Sequence, residues 1–177
     1  MMKNILLLTF LTLTLVFSTE ATAQKFNGLD KSPADIASFP SSYRVSEKAA
    51  RVIYSRPQLK GRSLSELAPD GKVWRTGANE APEITFYKDA TVGGKSVKAG
   101  TYALFTIPGE SEWTVILNGN LNQWGAYSYN SDADVVRVTA KASTDSDSLE
   151  AFSIAFEENG TMVMGWGTTR VSLPMSL

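Results

Sequence analysis

Ala99-Gly100-Thr101-Tyr102-Ala103-Leu104-Phe105-Thr106-Ile107-Pro108 decides the fold class. Gly100-Thr101 opens a strand, and Tyr102 to Ile107 is apolar on both faces of the extended chain. Such a strand belongs at the centre of a β-structure, with other layers covering each side. Pro108-Gly109 turns the chain, and Trp113 to Leu117 follows as the antiparallel partner.

Working upstream, Glu83 to Lys88 alternates, with Ile84, Phe86 and Lys88 on one face and Thr85 and Tyr87 on the other. Thr91-Val92 and Ser96-Val97 flank Gly93-Gly94, a hairpin signal. Ala50 to Ser55 reads as a strand that Arg56-Pro57 breaks. Ser63 with Glu66 three residues on predicts a capping box and one helical turn. Ser32-Pro33-Ala34-Asp35 predicts the start of a short docking helix, with Ile36 and Phe39 on its buried side and Pro40 as its end.

Downstream, Asn118 to Asn122 is an Asn/Gly-rich loop leading to Gln123-Trp124-Gly125-Ala126-Tyr127. Val135 to Ala140 reads as a strand, Ser143 to Ser148 as a polar loop, and Leu149 to Phe156 as a further strand. Asn159-Gly160 turns into Thr161 to Trp166, and Arg170 to Leu173 closes the sheet. Roughly nine short strands with turns about every 8–12 residues predict an all-β fold. The expectation is a single antiparallel β-sandwich, jelly-roll-like, with one or two short helices near the N-terminus and one domain over residues 24–177.

Composition narrows the function. Lys3, an apolar run from Ile5 to Phe17 and the small-x-small triplet Ala21-Thr22-Ala23 predict a signal peptide over residues 1–23. Cleavage after Ala23 would leave Gln24 first and place the protein outside the cytoplasm, periplasmic or secreted. No later run is apolar enough to span a membrane. The formal net charge is −1, which argues against a nucleic-acid partner, since phosphates demand a basic face. There is no cysteine, so packing alone must hold the fold without disulfides. There is no histidine, which excludes Ser-His-Asp catalysis and histidine-ligated metals. No loop has calcium-binding spacing, so neither a metal nor a cofactor is expected.

Lys72-Val73-Trp74-Arg75-Thr76-Gly77-Ala78-Asn79-Glu80-Ala81 gathers a fixed cation, an amide and a carboxylate around a tight turn. With Tyr54, Arg56, Lys60 and Arg62 it forms a basic and aromatic set suited to an anion or sugar acid. The same arginines could equally close loops through backbone carbonyls and pair with Glu66, Asp70 or Glu80. Among the aromatic residues, Trp113 and Trp166 fall in alternating strands and read as core. Trp74 leans the same way, whereas Trp124 sits in a loop beside Gly125 and is better placed to touch a ligand. Glu80, Glu83, Asp132 and Asp134 are the carboxylates from which a hydrolytic pair would have to come.

At Tyr54-Ser55-Arg56-Pro57, Lys60-Gly61-Arg62, the Lys72–Ala81 stretch, Ala99–Pro108, Glu112-Trp113-Thr114-Val115 and Gln123–Tyr127, the sequence resembles the domain of unknown function 2911 family of exported bacterial proteins. Asp30-Lys31-Ser32-Pro33 is similar to that family's N-terminal segment, while Tyr43 to Tyr54 is shorter than its usual first strand pair. The resemblance implies export in Gram-negative bacteria and a β-rich domain, and it carries no catalytic residues.

Three functions follow as expectations. The first is a non-catalytic binding module for a glycan or small anionic ligand in the cell envelope, using Tyr54, Arg56, Arg62, Trp74, Arg75, Asn79, Glu80 and Trp124. The second is a glycoside-type hydrolase using Glu80 with another carboxylate. The third is a structural or partner-binding envelope protein.

Overall fold

The computed structural model describes residues 24–177, so the expected leader lies outside the described residues. Ten strands occur among them: β1 (Ala34–Phe39), β2 (Ala50–Ser55), β3 (Glu83–Phe86), β4 (Ala90–Val92), β5 (Lys95–Val97), β6 (Gly100–Ile107), β7 (Glu112–Asn118), β8 (Asp134–Phe156), β9 (Met162–Leu173) and β10 (Met175–Ser176). Helix α1 is the single turn Leu64–Leu67, and Ser131–Ala133 adds a 3-10 turn. The Ser63–Glu66 capping box holds α1 as expected: Ser63 Oγ accepts the Glu66 N–H, and Glu66 Oε2 accepts the Ser63 N–H.

The fold is all-β and antiparallel. A seven-stranded sheet runs β1-β2-β3-β6-β7-β8-β9, with β6 in the middle, and a three-stranded sheet runs β10-β4-β5. The larger sheet curls on itself as a half-barrel. Its closing seam runs between the end of β2 with the following loop and the second half of β8. There Phe152 N donates to Pro57 O, Leu59 N to Glu150 O, and Gln58 bridges Ala151.

Both faces of β6 are covered, which explains its doubly apolar sequence. Inside the curl, Leu104 joins Val52, Ile84, Phe86, Val115, Leu117, Phe152 and the tryptophans Trp74, Trp113 and Trp166. The small sheet completes this core through Val92 and Val97 beside Val136 and Val138. Gly93 turns the β4–β5 hairpin against β8 so closely that a β-carbon there would lie 2.8 Å from Val138 Cβ. On the other face, Ala103 and Phe105 pack with Ile116 and Ala81, roofed by Val73, Leu121, Ala126 and Tyr129. Ile107, at the end of β6, is half-buried against this second cluster.

Three expectations need correction. Ala34–Phe39 is not a docking helix but edge strand β1, paired with β2 from Ala34↔Ser55 to Phe39↔Ala50. Pro33 and Pro40 bracket the strand, and proline delimits an edge strand as readily as a helix. Ser143 to Ser148 is not a loop but the middle of β8, which runs unbroken for 23 residues. Its pairing with β9 slips between Thr144 and Leu149 and again between Leu149 and Ser153. Arg170 of β9 fastens that irregular stretch: its guanidinium donates to Gly167 O, Thr169 O and Asp147 O and pairs with Asp145 at 3.2 Å. Arg170 to Leu173 is therefore the end of β9 and not a separate closing strand.

Candidate functional site

The Lys72–Ala81 segment starts as a strand. Trp74 exchanges both backbone hydrogen bonds with Thr106 of β6, at 2.7 and 2.9 Å, which sends its indole into the core. There it stacks on Trp166, with ring centroids 5.5 Å apart and planes at 15°, and meets Trp113 and Phe152 edge-on. The chain then turns sharply through two left-handed residues, Thr76 (φ 57°) and Asn79 (φ 60°). A β-branched residue is seldom found there, and the conformation stores strain that its surroundings must hold. They do so: Thr76 is fully buried and its hydroxyl donates to Thr106 Oγ1 at 3.1 Å. Gly77 lies so near β2 that a β-carbon would come within 3.0 Å of Ser55 O.

This turn delivers Asn79 to Ala81 against Gln123 to Gly125. Gly125 N donates to Asn79 O and Ala81 N donates to Gln123 O, leaving Glu80 and Trp124 directly opposite one another. A residue pair flanked by its hydrogen bonds in this way brings its two side chains closest, with β-carbons about 4.5–5.5 Å apart. A carboxylate and an indole therefore stand side by side. Both are exposed, Trp124 to 63%. Gly125 (φ 67°) then folds Tyr127 back across itself: a β-carbon on Gly125 would lie 2.7 Å from Tyr127 Cε2. The Tyr127 ring is 87% exposed, so two aromatic surfaces flank one glycine.

A cleft of about 280 Å³ opens beside them, lined by Glu80, Glu83 and Asn122 on one side and Ile53, Tyr54 and Ser55 of β2 on the other. Asn122 (φ 57°) donates its N–H to Glu83 Oε1 at 2.9 Å. In the two segments that meet here, Arg75 Nε and Gln123 Oε1 are buried and have no hydrogen-bond partner among the described residues. The far end of the loop is locked. Asp134, nearly buried, accepts from Tyr129 Oη at 2.6 Å, from Arg137 at 2.8 Å and from Asn118 at 2.8 Å. Burial first, and then the Asp134 carboxylate, push the Tyr129 hydroxyl up to about 12. Asp30 also reaches the site: the Ser32 N–H and then the Asn79 amide hold its carboxyl below the usual range.

The sequence-selected residues divide into groups. Asn79, Glu80 and Trp124 meet at the junction, whereas Arg75 makes no hydrogen bond or ion pair with them among the described residues. Tyr54 lines the adjoining cleft with one edge, but its hydroxyl and the Arg56 guanidinium belong to the β2–β8 seam. Arg56 pairs with Asp35 at 3.0 Å and donates to Phe152 O and Ser153 Oγ. Arg62 closes its own loop through Leu59 O and Gln58 O. Trp74 is core. Among the described residues no arginine pairs with Glu80, and no three Asp or Glu side chains gather as a metal cluster. Asp35, the partner of Arg56, was not singled out in the sequence, because nothing local ties two residues 21 positions apart.

These motif segments lie inside one family match. The model for proteins of unknown function, DUF2911, matches residues 32–175. The chain belongs to the DUF2911 family. No curated protein and no solved structure matches it.

Proposed function

We propose that the protein is an exported, non-catalytic binding module of the cell envelope, and that its ligand is a glycan held at the Glu80–Trp124 junction. The observation that carries this is the closest-approach pairing of Glu80 with exposed Trp124. Sugar rings present apolar C–H faces that lie on aromatic planes and hydroxyls that donate to carboxylates. The pairing offers both partners on rigid backbone, so little ordering is lost on binding. The small-anion alternative is less well supported at this junction, since Arg56 is paired with Asp35 and Arg62 with backbone carbonyls. We read the unequal sheets as a jelly-roll-like sandwich, one domain over residues 24–177, with residues 1–23 removed on export. Intact-mass measurement on envelope material should find Gln24 first.

Calorimetric titration with neutral hexose and N-acetylhexosamine tetrasaccharides tests the site. Trp124→Ala should weaken binding by about 2 kcal/mol, about thirtyfold, with the melting temperature unchanged. No binding by the wild type, or equal binding by the variant, would leave a structural or partner-binding role in its place. Because Glu80 and Glu83 line one cleft, glycoside hydrolysis stands as a second reading. Glu83 accepts the Asn122 N–H through Oε1, which leaves Oε2 for the reaction, and appearance of new reducing ends in the same titration would favour this reading.

A further inference from the structure

A larger cleft lies elsewhere, at the end of the sheet where the β1–β2 connection meets the chain beyond β3. It encloses about 710 Å³. Its charged side chains are Lys48, Arg51 and Lys88 against the single carboxylate of Glu47, and Leu177 closes one edge. Among the described residues none of these cations is within ion-pair distance of Glu47.

Arg51 decides what the cleft can hold. It sits mid-strand in β2 between Ser38 and Thr85, and the alternation that buries Val52 and Tyr54 turns it to the opposite face. Its Nε is buried without a partner among the described residues, and no hydrogen bond there engages the rest of its guanidinium. The two Nη groups are neither hydrogen-bonded nor among the buried unpartnered atoms, and this end of the fork, on a residue lining the cleft, is what a bidentate oxyanion fits. The surroundings are built and not loose. Lys48 Nζ donates to Pro40 O and Ser42 O, and Tyr87 N donates to Ala49 O, so the loop and strand end are tied together. Phe39, Pro40 and the half-exposed Tyr87 ring supply an apolar wall.

We propose that this cleft is a second binding site, taking a small organic ligand that carries a carboxylate or phosphate on a flat or apolar body. Arg51 grips the oxyanion, Lys48 and Lys88 supply the field, and the body lies along Tyr87 and Phe39.

The test uses benzoate, inorganic phosphate and neutral benzamide as probes on the mature chain, followed by amide chemical shifts. Benzoate and phosphate should shift Lys48 to Arg51 and Tyr87 to Lys88, benzoate binding the tighter, with benzamide leaving them in place. Arg51→Gln should weaken benzoate by about tenfold or more, as loss of a charge-assisted bond does, with an unchanged melting temperature. Should that variant fail to fold, Arg51→Lys retains the charge without the fork and should still weaken benzoate. Trp124→Ala should leave benzoate affinity unchanged, which separates this cleft from the glycan junction. Benzamide binding as well as benzoate, full benzoate affinity in the folded Arg51 variant, or no response to either anion would overturn the proposal.

Discussion

The Tyr54 hydroxyl accepts the Ile154 N–H at 3.0 Å across 100 residues of chain. The same hydroxyl lies 3.3 Å from Asp35 Oδ2 and 3.4 Å from Ile154 O, so one phenol ties β1, β2 and β8 at the seam of the half-barrel. Tyr54→Phe removes the acceptor and leaves a buried N–H unpaired. It should cost about 1–3 kcal/mol, read by urea denaturation with the native spectrum retained. A loss within experimental error would mean that the seam is held by the backbone bonds at Pro57 and Leu59 alone.

Arg75 offers the opposite case. Its Nε is buried without a partner among the described residues, and it makes no ion pair there. Arg75→Met keeps the apolar stem and discards an unmet donor. Stability should therefore stay within about 1 kcal/mol of wild type or rise. A fall of about 3 kcal/mol would reveal a partner for the guanidinium that stabilises the native state.

Alkaline titration should single out Tyr129. Its hydroxyl is pushed up to about 12 by burial and by Asp134, whereas an unfolded tyrosine ionises near 10. The folded chain holds this proton longer, so the stabilisation is fully present below about pH 10 and is lost as the pH rises through about 12. Tyr129→Phe should flatten that part of the stability profile. A shallower fall should remain, because burial also raises Tyr54. Equal slopes in wild type and variant would show that Tyr129 ionises alike in both states.

How much of this was legible in the sequence follows from where each residue's partner lies. β6 and β7 could be read because their apolar character is intrinsic and both faces are covered. The Ser63–Glu66 cap could be read because donor and acceptor are three residues apart. β1 could not, since Ser32-Pro33-Ala34-Asp35 is a helix-start signature that six cross-strand pairs with β2 override. Ser143 to Ser148 reads as a loop because neither face meets a core; Arg170 and the flanking pairs at Ser143, Thr144 and Leu149 hold the β8–β9 ribbon there. At the junction, Glu80 and Trp124 were each selected on local grounds, but their opposition was invisible, because it depends on a turn through Thr76 and Asn79 in left-handed conformations.

The placement of the four tryptophans has an optical consequence. Trp74, Trp113 and Trp166 share one apolar cluster, each at most 6% exposed, while Trp124 stands in solvent. Emission from the three should be blue-shifted and sheltered from acrylamide, and emission from the fourth red-shifted and quenchable. The stacked Trp74–Trp166 pair should add exciton coupling to the circular dichroism, which vanishes when the core opens. Unfolding and ligand capture thus report through different indoles, and both can be followed in the unlabelled chain.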